Sequence, residues 1–269
     1  MRGRVLVIAG SDSSGGAGLQ ADIKTIAALG GYCCTAVTAL TAQDTTGVQG
    51  IIAVPPEFVR LQAETALADI GADAVKIGML GTTRLIETVA AVLQDRALGI
   101  PTVLDPVMVA KGGARLLEPD GAAALKRNLL PNVTLLTPNI PEAEALSGLE
   151  IRDLGGMRRA AELLLTLGVP AVLLKGGHLP DPVVVDILAT IDDVALLERP
   201  RIDTRHTHGT GCTLASAVAT GLAQGMALRA AVVRARAYVQ AAIATAPGFG
   251  QGHGPLNHSV QLDAVLPLE

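Results

Sequence analysis

The sequence predicts an α/β protein in which helices cover both faces of a central, mostly parallel sheet. Short apolar runs that favour strands alternate with helical patterns along the 269 residues, and this alternation implies parallel pairing with right-handed crossovers. The strand-type runs are almost continuously apolar, as in strands covered on both faces. No shift in composition and no linker rich in proline or glycine divides the chain. We therefore expect residues 1–269 to form a single three-layer α/β/α domain.

The elements follow in order from local patterns. Strands are predicted where apolar, β-type residues run together, at 4–9, 34–39, 73–77, 102–105, 133–136, 171–175, 183–189 and 193–198. Helices are predicted from helical spacing of apolar residues, at 16–29, 56–69, 82–98, 119–129, 141–147, 153–167, 209–224 and 227–245. Helix 56–69 opens with Pro56, whose missing N–H costs nothing in a first turn. Helix 82–98 begins behind Thr82 and Thr83, which can cap it.

Composition restricts the class of function. The net charge is −4 without a basic block, and only four residues are aromatic, so the sequence gives little support for nucleic-acid binding. No apolar run approaches the ~18 residues of a membrane span, and the run from Val5 to Ala9 is too short for a signal peptide. The three cysteines have no metal-type spacing. We expect a reduced, cytoplasmic protein, with Cys33 and Cys34 serving in packing.

The segments just after strands are the candidates for chemistry, because open α/β sheets bind ligands beyond the carboxyl ends of their strands. The first is GSDSSGGAGLQAD at 10–22, where Gly16 and Ala17 stand in place of the Lys and Ser/Thr of a phosphate-binding loop. It also lacks the glycine fingerprint of a nicotinamide dehydrogenase. What remains is a glycine turn that lets backbone approach a ligand. Alternatively, Asp12 and its serine neighbours cap the helix and Asp22 is a solvated charge.

Two further strand ends carry polar groups. Gln43 in TALTAQDTTGV offers both a donor and an acceptor to a heterocycle, although the segment also suits an ordinary polar loop. Asp105 in VLDPVMVAKGG could hold Mg²⁺ directly or through waters, or could simply begin an Asp-Pro turn. The stretch 108–116, which includes Lys111, is predicted to be a mobile flap.

Two other segments suit a triphosphate and its metal ion. Asn139 and Glu142 could organise a hydrated Mg²⁺, although they equally resemble a helix cap and its third helical residue. Lys175, followed by two glycines, could neutralise phosphate, or the segment could be a turn after an edge strand.

The segment from Gly209 to Cys212 is the most specific indication of a ligand site among these segments. Successive backbone N–H groups at a helix N-terminus bind anions with help from the helix dipole, and the same field is expected to lower the pKa of a thiol. Cys212 could then accept a proton from a substrate hydroxyl. Alternatively, it is a small buried cysteine in a glycine turn. His206 and His208 flank the segment and receive no assignment.

Taken together, residues 4–245 resemble the ribokinase superfamily and, within it, the hydroxymethylpyrimidine/phosphomethylpyrimidine kinases. The resemblance rests on seven segments in order: AGSDSSGGAGLQAD, TALTAQDTTGVQG, KIGML, VLDPVM, LLTPNIPEAE, LLKGGH and THGTGCTLASA. It implies ATP and Mg²⁺ as donor and cofactor, a small pyrimidine alcohol and then its monophosphate as substrates, and a homodimer. Many superfamily members end the last motif in Asp, whereas this chain has G-T-G-C, as do some pyridoxal kinases.

The resemblance also implies roles for individual residues. The pyrimidine pocket would comprise Gly10, Ala17, Asp22, Gln43, Met79 and Val107. Asp22 and Gln43 would hydrogen-bond the ring. The metal and nucleotide residues would be Asp105, Glu142, Asn139, Lys175 and Thr207, with helix 227–245 near adenine. Gly209, Thr210 and Gly211 would form an anion hole with Cys212 as base. The alternatives are a pyridoxal/pyridoxine kinase and a non-catalytic pyrimidine-binding sensor.

Overall fold

The structure, a computed structural model, describes residues 2–110 and 112–260. Lys111 of the predicted flap lies outside the described residues. The strands are β1 Arg4–Asp12, β2 Tyr32–Gln43, β3 Val48–Ala53, β4 Ala74–Ile77, β5 Thr102–Leu104, β6 Leu135–Leu136, β7 Ala171–Leu174, β8 Val183–Thr190 and β9 Val194–Pro200. The helices are α1 Gly18–Ala28, α2 Pro56–Asp69, α3 Thr83–Arg96, α4 Gly121–Ala124, α5 Ile140–Ser147, α6 Leu154–Leu165, α7 Thr210–Ala223 and α8 Leu228–Ala244.

Within the described residues, the strands form one sheet in the order β3-β2-β1-β4-β5-β6-β7-β8-β9. Neighbouring strands among β2, β1, β4, β5, β6 and β7 pair in parallel. Strands β3, β8 and β9 are added at the two edges by antiparallel pairing. The predicted mostly parallel sheet is therefore confirmed. Because β7 lies between β6 and β8, the alternative that Lys175 follows an edge strand is wrong.

The core has two layers, one on each face of the sheet. Val103 and Leu135 pack into the layer beneath α1, α7 and α8, whereas Leu104 and Leu136 pack into the layer beneath α2, α3, α5 and α6. Successive strand residues point to opposite faces, so the continuously apolar runs fill both layers. This confirms the three-layer prediction.

One predicted helix differs from the structure, and one strand was not predicted. The helix expected at 119–129 is a short α4, followed by a π-helical turn at Leu125–Leu129 and a 3₁₀ turn at Leu130–Asn132. Pro131 accounts for the change, because proline does not donate to the preceding helical turn. Strand β3 escaped prediction because it contains Gly50 and its side chains are largely exposed, so it lacks a buried apolar pattern. None of the helices in the described part is long and apolar enough to cross a bilayer.

Candidate active site

A cleft of roughly 1240 Å³ runs along the carboxyl ends of the strands, from β1 and β2 at one end to β8 and β9 at the other. The N-terminus of α7 enters it near the middle. Every residue that the sequence analysis singled out for the site lines this cleft, with the exception of Asp22. The topology thus brings the ends of separate segments together at one edge of the sheet, as expected for this class of fold.

Asp12 organises the glycine-rich loop at the β1 end of the cleft. Its carboxylate accepts hydrogen bonds from the Ser14 N–H at 2.9 Å and the Ala17 N–H at 2.7 Å, and its Oδ2 lies 2.8 Å from Nε2 of His208. Burial alone would raise the pKa of Asp12, but the hydrogen bonds from His208 and Ser14 outweigh it and lower the pKa. His208, left unassigned from sequence, therefore ties the loop to the turn that precedes α7.

The ring end of the cleft, as we call it, is the part lined by Gly10, Ala17, Gln43, Met79 and Val107. A Cβ on Gly10 would lie 3.2 Å from Sδ of Met79. The amide oxygen of Gln43 faces the Thr41 hydroxyl at 3.2 Å, and its amide nitrogen lies 3.5 Å from Nε2 of His208. The side-chain amide is thus held at the cleft wall, where it can meet a polar ring.

Asp22 does not take the place that the sequence analysis expected. Its side chain is fully buried, and both carboxylate oxygens lie 2.8 Å from Nζ of Lys76, while Ser216 Oγ donates to Oδ1 at 2.7 Å. Exposure to solvent is therefore wrong for Asp22, which is buried against Lys76 and Ser216, and its hydrogen bond to a ring stays a prediction. Burial would lower the pKa of Lys76, but Asp22 raises it, so Lys76 remains an ammonium.

Lys76, in turn, is a cleft-lining residue that the sequence analysis missed. The signal was present, because a lysine interrupts the apolar strand β4, and a lysine is almost never fully buried unless it is paired. Its partner could not be found locally, since Asp22 lies 54 residues away along the chain.

The turn before α7 allows very close approach of backbone. Gly209 has φ +81°, and a Cβ there would overlap the carbonyl oxygen of Gly16. A Cβ on Gly211 would lie 3.1 Å from Nζ of Lys175 and 3.2 Å from Oδ2 of Asp105. The first turn of α7, whose amides have no partner within the helix, therefore lies beside the ammonium of Lys175 and the carboxylate of Asp105.

Cys212 lies on the first turn of α7 and is partly exposed at the cleft wall. Burial raises the pKa of its thiol to about 12, while the charge of Lys76 acts in the opposite direction. The expected lowering of this pKa is therefore wrong for the ligand-free chain, because desolvation of the thiolate exceeds the favourable charge. The thiol is protonated at neutral pH.

Asp105 and Glu142 face the same part of the cleft. Oδ1 of Asp105 accepts from Lys175 Nζ at 2.9 Å and from Thr137 Oγ1 at 3.2 Å. Glu142 accepts from the Asn139 N–H at 2.8 Å, and its own N–H donates to Oδ1 of Asn139 at 2.9 Å. Asn139 and Glu142 thus form the capping box of α5 and also line the cleft, so the cap is confirmed and the role toward Mg²⁺ stays a prediction.

These carboxylates fit a magnesium ion that is shared with phosphates. Burial raises the pKa of Glu142 to about 7, with Lys175 opposing the shift. The described residues contain no cluster of three His, Cys, Asp or Glu side chains suited to a metal ion. Mg²⁺ is commonly held by one or two carboxylates together with substrate phosphates, and Asp105 and Glu142 supply such a partial set.

The nucleotide end, as we call the part of the cleft lined by β8, β9, the segment that follows β9 and α8, combines apolar side chains with arginines. Val184, Ile202, Val239 and Ile243 contribute to its wall, with Arg199, Arg201 and Arg205 nearby. In the described part of the predicted flap, Val109 pairs with Arg115 in an antiparallel bridge and the Leu116 N–H donates to the Met108 carbonyl at 2.8 Å, and these residues line the cleft.

Comparison with known proteins agrees with this geometry. The family described as phosphomethylpyrimidine kinase matches residues 12–257. The thiamine biosynthesis bifunctional protein ThiED of Geobacter sulfurreducens is 52% identical over 267 residues, which are 98% of this chain and 54% of that protein. This chain therefore spans about half the length of that relative.

Two other similar proteins match over nearly their full length. The hydroxymethylpyrimidine/phosphomethylpyrimidine kinase of Streptomyces coelicolor is 47% identical over 254 residues, 94% of this chain and 93% of the relative. An ADP complex of Bacillus subtilis pyridoxal kinase superposes with a TM-score of 0.89 at 37% identity and covers 96% of this chain and 98% of that one. The ribokinase-like fold is thereby confirmed.

Proposed function

The chain belongs to the phosphomethylpyrimidine kinase family, and from this premise we propose a two-step kinase of thiamine biosynthesis. It transfers a phosphoryl group from ATP first to 4-amino-5-hydroxymethyl-2-methylpyrimidine and then to the monophosphate so formed. The names of its relatives support both steps. The observation that carries the proposal is the meeting of the α7 N-terminus with Asp105 and Lys175, midway between a ring end and a nucleotide end.

The first step needs alignment and charge neutralisation more than covalent help. The alcohol oxygen attacks the γ-phosphorus of ATP, a new P–O bond forms, and the bond to the β-bridging oxygen breaks to release ADP. Lys175 and the backbone N–H groups of Gly209 to Cys212 bind the charge on the transferred group. Mg²⁺, when bound, would neutralise triphosphate charge, and Asp105 and Glu142 would hold it.

Cys212 is proposed to accept the proton that the alcohol loses. Because its thiol is protonated in the ligand-free chain, it must first release its own proton to solvent. In the second step the nucleophile is a phosphate oxygen that is already anionic, so no base is needed. The two steps are therefore expected to depend differently on Cys212.

Pyridoxal kinase activity is the second candidate. The similarity to the Bacillus subtilis pyridoxal kinase extends over 96% of this chain, and the G-T-G-C motif is shared with some enzymes of that kind. The retained Asp105, Glu142, Lys175 and Cys212 argue against a non-catalytic pyrimidine-binding sensor, since such a protein has no need of this set.

Product analysis tests the proposal. The chain is incubated with ATP, Mg²⁺ and an equimolar mixture of the pyrimidine alcohol and pyridoxal, and phosphorylated products are separated over time. We expect pyrimidine monophosphate followed by diphosphate, with pyridoxal phosphate formed more slowly. Faster formation of pyridoxal phosphate would favour the second candidate, and ADP formation without either product would contradict both.

A homodimer in the cytoplasm completes the proposal. Leu40 on β2 and its partner Ile52 on β3 are 50% and 70% exposed, and Ile51 is 44% exposed, so the β3 edge of the sheet offers an apolar surface to a second copy. Cys33, Cys34 and Cys212 are free, as expected in a reduced compartment. Light scattering should give the mass of a dimer for the wild type and of a monomer for Ile52→Glu, and a monomeric wild type would contradict the dimer.

A further inference from the structure

A second buried ion pair lies at the nucleotide end of the cleft, outside the residues that the resemblance assigns. Nε of Arg236 on α8 donates to Oδ2 of Asp186 on β8 at 2.7 Å. Asp186 is 8% exposed and Arg236 is 7% exposed, and both line the cleft. A buried charged pair costs free energy to desolvate, so its presence at a ligand site calls for a role other than stability.

The pair has two further bonds, and each reaches a different element. The other oxygen of Asp186, Oδ1, accepts from the backbone N–H of Gly176 at 2.8 Å. Nη2 of Arg236 donates to the carbonyl oxygen of Leu197 on β9 at 2.6 Å. The two side chains therefore join α8, β8 and β9 to the turn that follows β7.

That turn carries Lys175. The Lys175 N–H donates to the carbonyl of Pro138 at 2.8 Å, so the chain just before Gly176 is fixed to the strand β6 side of the site. A Cβ on Gly176 would overlap the carbonyl oxygen of Val185, so Gly176 also packs directly against β8. The Asp186 carboxylate thus helps to fix the position of the turn that directly follows Lys175, the lysine proposed to bind phosphate.

On α8, Arg236 is aligned with the cleft-lining face of the helix. Val239, Gln240 and Ile243 follow it by three, four and seven residues and line the nucleotide end. Residues at this spacing lie on one face of a helix. The bond from Arg236 to Asp186 therefore spans from the apolar wall of the nucleotide end to the turn of Lys175.

We propose that the Asp186–Arg236 pair is a positioning element for the nucleotide, which sets the separation between the phosphate-binding turn and the apolar wall on α8. The proposal rests on the proposed function, because it presumes that a nucleoside di- or triphosphate occupies this end. Neither residue is assigned to the transfer step itself. Loss of the pair weakens nucleotide binding while the ring end, built on other strands, keeps its affinity.

The test is calorimetric titration of ADP into the full chain, together with KM for ATP and for the pyrimidine alcohol. Arg236→Met should weaken ADP binding and raise KM for ATP by about tenfold, an effect typical of residues coupled through contacts. KM for the pyrimidine should change by less than about twofold on the same grounds. Arg236→Lys, which keeps a cation for Asp186, should recover part of the loss.

Arg234→Met is the matched control. Arg234 lies two residues away on α8, donates to Gln224 Oε1 at 2.7 Å and does not line the cleft. It should leave ADP binding at the wild-type value. Asp186→Asn provides a second route should Arg236→Met fail to fold. Its amide oxygen can still accept from Gly176, so weakened ADP binding in this variant would assign the effect to the link with α8.

The outcomes distinguish failure of the positioning role from failure of the proposed function. If the wild type binds ADP and folded Arg236→Met and Asp186→Asn bind it equally well, the positioning role is overturned and the proposed function stands. Equal losses in the affinity for ADP and in the KM for pyrimidine would also overturn it, because they would indicate general loosening. Absence of ADP binding by the wild type would overturn the proposed function and this inference with it.

Discussion

The two ends of the cleft are built on different principles. The ring end lies where parallel strands β1, β2 and β4 stop, and its glycine-rich loop is held by hydrogen bonds to Asp12 and His208. The nucleotide end lies over antiparallel strands β8 and β9, and its wall combines apolar side chains, such as Val239 and Ile243 from α8, with arginines that follow or end β9. A buried pair of a carboxylate and a basic side chain nevertheless lies near each end, Asp22–Lys76 and Asp186–Arg236.

This difference indicates how each end selects its ligand. A polar, tightly held wall discriminates through hydrogen bonds, because a wrong ligand leaves buried polar groups unpaired. At the nucleotide end, apolar side chains can pack on a flat ring and arginines can bind phosphate charge, and apolar packing discriminates less between ligands. We therefore expect changes at the ring end to affect the choice of substrate, and changes at the nucleotide end to affect affinity for the donor.

The largest expected effect concerns the ion pair beneath the ring end. Lys76→Met leaves the Asp22 carboxylate buried without its cation, and loss of one partner of a buried pair costs about 3–5 kcal/mol. Urea denaturation should show this decrease in the free energy of unfolding. Arg60→Met is the control, because its ion pairs with Glu64 and Asp95 are at the surface and should contribute less than about 1 kcal/mol. Equal losses in both variants would contradict the ranking.

Gly209→Ala tests the turn at which the two ends meet. Because a Cβ there overlaps the Gly16 carbonyl, the turn must move and the anion-binding N–H groups move with it. We expect kcat/KM for both steps to fall by about 10²–10³-fold, as for loss of a transition-state hydrogen bond. Gly225→Ala has a similar φ of +85° with open space around the Cβ. Gly225→Ala should therefore lose some stability and keep its activity. Wild-type activity of Gly209→Ala would contradict the close approach of Gly209 to Gly16 as a requirement for catalysis.

Cys212→Ala should separate the two phosphoryl transfers. The first step should slow by about 10²-fold, as for loss of a general base, and the second by much less. The thiol has a pKa of about 12, so at lower pH the fraction present as thiolate increases tenfold for each pH unit. The first-step rate of the wild type should therefore rise with pH between about 6.5 and 9.

Cys212→Asp provides the control for this profile. A carboxyl group ionises at a much lower pH than a thiol in the same surroundings, so the first-step rate of this variant should level off at a lower pH than that of the wild type. A flat wild-type profile, or equal losses in both steps for Cys212→Ala, would leave Cys212 with positioning alone.

Glu142→Gln should alter stability in a pH-dependent manner. Burial raises the folded-state pKa of Glu142 from its ordinary 4.5 to about 7, so ionisation is less favourable in the folded chain than in the unfolded one. The wild type should lose stability as pH rises from about 4.5 through 7, whereas the glutamine variant should not. Relative to wild type, the variant should therefore gain about 2 kcal/mol between pH 5 and pH 8. A constant difference across this range, measured in urea without ligands, would contradict the shift.

The smallest expected effect compares the ends directly. Gln43→Ala should raise KM for the pyrimidine by about tenfold, since it removes a hydrogen bond at the ring end. Ile243→Ala should raise KM for ATP by a few-fold and leave the pyrimidine KM unchanged. Steady-state kinetics with each substrate varied in turn would show the crossing pattern. If each variant changed both KM values to the same extent, the assignment of the two ends to different substrates would be contradicted.

Much of the fold could be read from local pattern. Periodicity located the helices, and the bounds of α2 were predicted to the residue. The Asn139–Glu142 cap was also readable, because its members are three residues apart and interact within one turn. Strand β3 could not be predicted from local pattern, because an exposed edge strand has no buried face to impose an apolar pattern.

The residue types and their order along the chain determined the layered fold and the segments that meet at the carboxyl edge of the sheet, because strand and helix patterns are properties of neighbouring residues. Tertiary structure alone decided that Asp22 pairs with Lys76, that His208 holds Asp12 from 196 residues away, and that the Cys212 thiol stays protonated. Burial and long-range pairing depend on what the rest of the chain places around a side chain, and no local window of sequence contains that information.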